Sequence, residues 1–355
     1  MPHPAPPATL AITCGDPAGI GPEVVLAAWA RSPAHQAARL RVVAAVDLVK
    51  ATLRETPGLP PLAVEAVSAD DSRPSQADTV LVVEPAARVE RVPRGCISAA
   101  GGQAAIAALE TAFALVRQGH AQAIVTGPLN KAAIHAAGHD VPGHTEWLAR
   151  ACGLPDSAAS MMLWLPDVAG GSPGLGVVHA TLHESLRTAV GRLTTADIAT
   201  AGLRLASVLP TLLGRPPRLA VAALNPHGGE GGLFGDEESR LVAPAVRALA
   251  ARGLDIVGPL PADTLFLRAS RGAFDGVVAL YHDQGHIPVK LLGMHRAVNI
   301  TLGLPVVRTS VAHGTAFDIV GTGVADPTSM LAAIDVACRL AIAPDAVMAA
   351  AVTLL

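Results

Sequence analysis

Short apolar runs recur along this chain, and helical segments separate most of them. "TLAITCGD", "LRVVAAVD", "DTVLVVE", "AQAIVTGP", "MMLWL", "GVVHATLH", "RLAVAALN", "GVVALYHD", "AVNITLG" and "VVRTSV" all read as strands. They show little polar alternation, so both faces of such strands must be covered. Between them, "GPEVVLAAWARS", "GGQAAIAALETAFALVRQG", "TTADIATAGLRLASVLPTLLG", "RLVAPAVRALAARG" and "SMLAAIDVACRLAI" carry the three-to-four spacing of amphipathic helices. The alternation predicts an α/β fold in which helices cover both faces of a sheet. Such sheets hold ligands beyond the carboxyl ends of their strands, so residues just past each run carry the most information. The Gly-rich "GGSPGLG" (170–176) reads as a surface turn.

Composition narrows the function. Of 355 residues, 51% are hydrophobic and 15% charged, with net charge −3, which leaves no basic face for nucleic acid and no acidic tail. Gly, Pro or charge interrupts every apolar run, so none is expected to span a bilayer. "MPHPAPPA" lacks the features of a secretion signal and reads as a disordered leader at 1–8. Four cysteines without a CxxC pair fit reduced thiols in a cytoplasmic protein.

The chain has only three lysines (Lys50, Lys131, Lys290), three asparagines (Asn130, Asn225, Asn299) and one tyrosine, Tyr281. All but Lys50 fall in stretches that look chemical. Histidines end three predicted strands: His183 in "VVHATLHES", His227 in "VAALNPHGGEGG" and His282 in "VALYHDQG". Neutral imidazoles suit a borderline divalent cation, and three protein ligands leave room for substrate. His179 shares a strand face with His183, so periodicity leaves either one as the first ligand. "TGPLNKAAIHAAGHDVPGHTEWLA" puts Lys131 at one helix start and His144-Thr145 at another, where free amides favour anions; Thr145 could equally cap its helix. Lys290 and Arg308 follow "IPV" and "LPVV", read as apolar strands from which a bare charge needs a partner. "GDPAGIGPEV" is neither GxGxxG nor a P-loop, and reads as the wall of a site.

Read together, "GDPAGIGPE", "TGPLNK", "PGHTE", "NPHGGEGGLFGDEE", "YHDQG", "VNITLGLP", "RTS" and "HGTAFDI" resemble, in this order, the 4-hydroxythreonine-4-phosphate dehydrogenase family. The resemblance implies an isocitrate/isopropylmalate-dehydrogenase-like fold of two α/β/α domains, with the active site in the cleft between them. It divides the chain into 9–125 plus 315–355 and 126–314, the latter carrying the metal ligands and a homodimer interface. It implies NAD or NADP bound without a GxGxxG loop, and one divalent metal ion (Zn, Co, Mn, Ni or Mg) whose ligands are shared across the dimer. By motif, His183, His227 and His282 are the implied metal ligands. His144, Thr145, Lys290, Asn299 and Arg308 are implied substrate contacts. Asp263 is the implied proton acceptor, with Lys290 beside it in catalysis, and Gly314, Thr315 and Asp318 belong to the nucleotide pocket.

The implied activity is oxidation of the secondary alcohol of 4-hydroxythreonine 4-phosphate, 4-phospho-threonate or 4-phospho-erythronate, then decarboxylation. "HDQGHIPVKLLG" is more similar to the phospho-threonate and phospho-erythronate branches, and "TLHESLR" to the terephthalate cis-dihydrodiol branch. A metal-dependent phosphatase or aldolase, or a phosphosugar sensor, would share parts of the pattern.

Overall fold

The computed structural model describes residues 7–342 apart from 88, 90, 91, 142, 169 and 170, so most of the expected leader and the end of the first expected domain lie outside it. Its strands are β1 (Ala8–Thr13), β2 (Ala38–Val43), β3 (Ala63–Ala66), β4 (Thr79–Val83), β5 (Ala123–Thr126), β6 (Ser160–Val168), β7 (Ser172–His179), β8 (Leu219–Ala222), β9 (Ile256–Leu260), β10 (Gly276–Ala279), β11 (Val298–Leu302) and β12 (Val307–Val311). The helices are α1 (Gly21–Arg31), α2 (Val46–Glu55), α3 (Ala99–Arg117), α4 (Lys131–Ala136), α5 (His144–Ala151), α6 (Leu186–Arg192), α7 (Thr195–Leu213), α8 (Ala243–Ala250), α9 (Ala262–Ser270), α10 (His282–Gly293) and α11 (Thr328–Ala341).

Contacts divide the chain into two units, one running to Asp156 and resuming at Val306, the other spanning Ser157–Pro305. Residues 126–156 and 306–314, which the sequence reading grouped with the second domain, make their contacts in the first unit. There the strand order is β3-β4-β2-β1-β5-β12, and every pairing is parallel. The near-continuous apolar content of β1, β4 and β5 follows from cover on both faces, whereas β2 carries Arg39 and Arg41.

In the second unit the order is β11-β6-β7-β10-β8-β9. β11, β6 and β7 pair antiparallel, and β7, β10, β8 and β9 parallel. The predicted turn at 170–176 is instead largely strand: Ser172 pairs with Val168 and Gly176 with Trp164. Its glycine serves packing, because a Cβ on Gly174 would lie 2.2 Å from the Trp164 ring. The indole fills the space a side chain would take.

Helices α3 and α7, 19 residues each, are long and apolar enough to cross a membrane. Here their apolar faces are packed inside the protein: Ile106 and Leu109 on α3, and Ile198, Leu205 and Leu209 on α7, are buried.

Asp275 fastens the amino ends of β8 and β10. It is 0% exposed and accepts from Arg215 Nη1 and Nη2 at 2.8 and 2.7 Å and from the Arg218 backbone N–H at 2.8 Å. Burial pushes its pKa up, but the hydrogen bonds from Arg215 and Arg218 outweigh that and hold the carboxyl below its ordinary value. A carboxyl depressed in the folded state contributes stability above its unfolded pKa, and the contribution is lost as pH falls through the folded value. Asp275→Asn should therefore cost about 2 kcal/mol at pH 7. It should also flatten the acid limb of a stability-versus-pH curve below about pH 4, both measurable by urea denaturation.

Candidate active site

The carboxyl ends of β7 and β10 are tied by two bonds: Ala180 N–H to the Ala279 carbonyl, and the Thr181 hydroxyl to the Leu280 carbonyl, each at 2.8 Å. That splice sets the turn carrying His183 beside the start of α10, which carries His282. The two ring centroids are 5.8 Å apart. Both rings line an open pocket of about 550 Å³, with Leu182, Glu184, Ser185, Tyr281 and Asp283 among its other walls. His282 Nδ1 lies 2.6 Å from an Asp283 carboxylate oxygen, which orients the ring and leaves Nε2 as the other ring nitrogen. Glu184 is ion-paired to Arg192.

Beneath these rings lies a buried histidine pair. His286 stacks on His282 at 3.7 Å and 12°, and its Nδ1 is 3.0 Å from His179 Nε2. Burial, then the surrounding histidines, lower His179 to about 3 and His286 to about 4, so both are neutral at pH 7. His179 is thus 2% exposed and engaged within the protein, whereas His183 faces the pocket. Gly285 lets α10 come this close, since a Cβ there would meet His179 Nε2 at 2.4 Å. The one sequence signal for the His286–His282 stack is their four-residue helical spacing.

His227 is placed differently. It opens a turn within Pro226–Gly232, is exposed, and has the Phe234 ring 6.4 Å away. Among the described residues no three His, Cys, Asp or Glu side chains of one chain are grouped to hold a metal. Within one copy, then, His183 and His282 come together and His227 stands apart. Asp263 is exposed in the first turn of α9, a helix that packs on the His227 turn.

Lys290 does not follow a strand. "IPV" lies in the interior of α10, and Lys290 is exposed in its last turn. The apolar run reads alike as strand or helix, and Pro288 hides the helix further. Asn299, on β11, is half-buried, and its Oδ1 is enclosed without a hydrogen-bond partner.

The first unit holds the remaining polar group. Arg308, 2% exposed on β12, donates from Nε and Nη2 to the Thr126 hydroxyl at 3.2 and 2.7 Å. Burial lowers its pKa to about 9 and Glu146 opposes the shift, so the guanidinium stays charged at pH 7. Half-buried His144 opens α5; burial, then the Arg308 charge, hold its imidazole well below the ordinary value and neutral. Gly143 precedes the helix and Thr145 sits inside its first turn, so Thr145 is not the cap. Lys131 is exposed at the start of α4, which Asn130 caps through Ala133 N–H at 3.0 Å.

The "GDPAGIGPE" and "HGTAFDI" loops meet where Ile20 N–H donates to the Thr315 carbonyl at 2.9 Å. Buried Glu23 accepts from Arg94 at 2.7 Å and from Gly321 N–H at 2.6 Å. Thr315 is buried at this junction, while Gly314 and Asp318 are exposed beside it.

Residues 36–337 match the family described as "Pyridoxal phosphate biosynthetic protein PdxA". The chain is 45% identical over 333 residues to a D-threonate 4-phosphate dehydrogenase of Cupriavidus necator, covering 94% of this chain and 97% of the relative. The crystal structure of a 4-hydroxythreonine-4-phosphate dehydrogenase from Klebsiella pneumoniae superposes with a TM-score of 0.79 at 40% identity, covering 94% of this chain and 99% of that one. A terephthalate 1,2-cis-dihydrodiol dehydrogenase from Burkholderia xenovorans gives 0.63 at 32% identity, covering 94% and 97%. An isocitrate dehydrogenase from Methylococcus capsulatus shares the fold, with a TM-score of 0.51 at 14% identity. The match over most of the length, in sequence and in fold, means that this chain belongs to the PdxA family.

Proposed function

We propose that this protein is a divalent-metal-dependent, NAD(P)-linked dehydrogenase that oxidises the secondary alcohol of a 4-phosphorylated 3-hydroxy acid, with decarboxylation of the 3-oxo product. The names of its relatives support the substrate class: a D-threonate 4-phosphate and a 4-hydroxythreonine-4-phosphate dehydrogenase. The observation that carries the metal site is the convergence of His183 and His282 on one pocket, with His282 Nδ1 held by Asp283.

The donor set fits a borderline cation such as zinc, cobalt, manganese or nickel better than magnesium, because it offers imidazole nitrogens. When bound, the cation lowers the pKa of a substrate hydroxyl and favours negative charge on that oxygen. His183 and His282 hold it at the pocket, and His227 completes the set across a homodimer. Apolar side chains beside the histidines support such an interface: Leu186 and Val190 on α6, Ile287 and Leu291 on α10, and Met294 just past its end, are exposed.

The remaining roles belong to the chain's own side chains. Asp263 would accept the hydroxyl proton, and a bound nicotinamide would supply the hydride acceptor. Lys290 adds positive charge for the substrate carboxylate. The enclosed Asn299 Oδ1 takes a hydrogen bond from a substrate hydroxyl or amine. Arg308, His144 and Thr145 hold the phosphate, and Gly314, Thr315 and Asp318 border the nucleotide. A buried cation at Arg308 favours the phosphorylated acids over a dihydrodiol, which has no phosphate to offer it.

Purified protein given 4-phospho-threonate, 4-phospho-erythronate, 4-hydroxythreonine 4-phosphate or the dihydrodiol, each with NAD⁺ or NADP⁺, should raise absorbance at 340 nm with a phosphorylated acid. Activity should vanish on chelation and return with added metal. Phosphate release without a change at 340 nm would instead mark a phosphatase.

A further inference from the structure

The turn that carries His227 is left-handed through five successive residues: φ is 52° at His227, 69° at Gly228, 80° at Gly229, 44° at Glu230 and 68° at Gly231. Two of these are not glycine, and the left-handed region disfavours residues with a Cβ. Such a run persists only where its surroundings over-determine it. Here the surroundings are a clasp at its base. Glu238, 6% exposed, accepts from the backbone N–H groups of Leu224 and Asn225 at 2.8 and 2.7 Å. The Asn225 side-chain amide donates to Glu238 at 3.0 Å and to Glu237 at 2.7 Å. The turn lies directly on this carboxylate, since a Cβ on Gly229 would sit 2.7 Å from Glu238 Oε2. Phe234 N–H closes the far side onto the Gly229 carbonyl at 3.2 Å.

The Glu238 carboxylate therefore spends its charge on the end of β8 and on the residue two before His227. Burial pushes its pKa up, but the bonds from Asn225 and Leu224 keep it below the ordinary value. A charge-assisted knot of this kind fixes direction as well as distance. We propose that Asn225 and Glu238 are positioning residues for His227, holding the strained turn so that the imidazole is aimed before a cation arrives. The proposal rests on the reading of His227 as a cation ligand. It also gives a role to Asn225, one of only three asparagines in the chain.

The test is Co²⁺ binding to the full-length protein without substrate or nucleotide, by chelator competition and by the cobalt absorption spectrum. Melting temperature and amide exchange at 224–235 are followed in the same samples. Asn225→Ala and Glu238→Ala should each weaken Co²⁺ binding about 10–100-fold and speed exchange in the turn. Glu238→Gln, which keeps an acceptor for both backbone N–H groups, should recover part of the loss; it and Asn225→Ala keep the test open if Glu238→Ala does not fold. Wild-type Co²⁺ affinity and spectrum in both Asn225→Ala and Glu238→Gln, with affinity lost in His227→Ala, would overturn the proposal and leave the ligand assignment standing. Wild-type affinity in His227→Ala would overturn the assignment on which it rests.

Discussion

His282→Ala is expected to lower kcat by about 10³-fold or more and to abolish tight metal binding, with little loss of folded protein. The side chain is 35% exposed and lines an open pocket, so its removal opens no sealed cavity. Its buried neighbour His286 keeps its bond to His179. A change in melting temperature of no more than about 2–4 °C follows from a loss near 1 kcal/mol. Metal content by atomic absorption, kcat and thermal denaturation on one preparation check all three.

Mixing this variant with His227→Ala adds a sharper outcome. If one site draws these two rings from different copies, every mixed dimer has one site with both imidazoles and one with neither. Random reassortment should then restore about a quarter of wild-type activity, although each variant alone is inactive. If both rings came from one copy, no mixture would recover, and the shared-site reading would fail.

Arg308→Met is expected to raise KM for the phosphorylated substrate about 10²-fold and to leave kcat within a small factor. The guanidinium lies in a low-dielectric setting near His144, so its charge is weakly screened at a phosphate bound there. Methionine retains the apolar stem, and exchanging a buried charge for a buried apolar group need not cost stability. The same substitution should let the His144 pKa rise, because the neighbouring cation is one of the two causes that depress it. An NMR titration of His144 reads that shift directly. Equal increases in KM for phosphorylated and unphosphorylated substrates would mean that Arg308 does not serve the phosphate.

Much of the fold was legible because parallel strands covered on both faces must be apolar throughout. β1, β4 and β5 announce themselves in this way. Legibility failed where one feature serves two purposes. The glycines of 170–176 looked like a turn, yet Gly174 makes room for Trp164. "IPV" looked like a strand end, yet it lies inside α10. Neither contact is visible from local pattern, because each partner is set by strand pairing or helix docking.

The candidate site divides along the same line. Residue scarcity marked Tyr281, Asn225, Asn299 and Lys290, and motif order marked His183, His227 and His282. Periodicity could not distinguish His179 from His183, because strand alternation would put both on one face; in the structure β7 ends at His179 and His183 lies on the turn beyond it. Burial separates them: His179 is enclosed with His286, while His183 reaches the pocket.

By itself, then, the sequence determined the strand–helix alternation, the chemistry available at the strand ends, and the family. Those depend on residue type and order along the chain. Only the tertiary structure decided that His183 meets His282 while His227 stands apart on a left-handed turn, and that Arg308 is buried behind Thr126. Such distances follow from which strands pair and which helices dock on them, and pairing between distant segments leaves no periodic trace in either one.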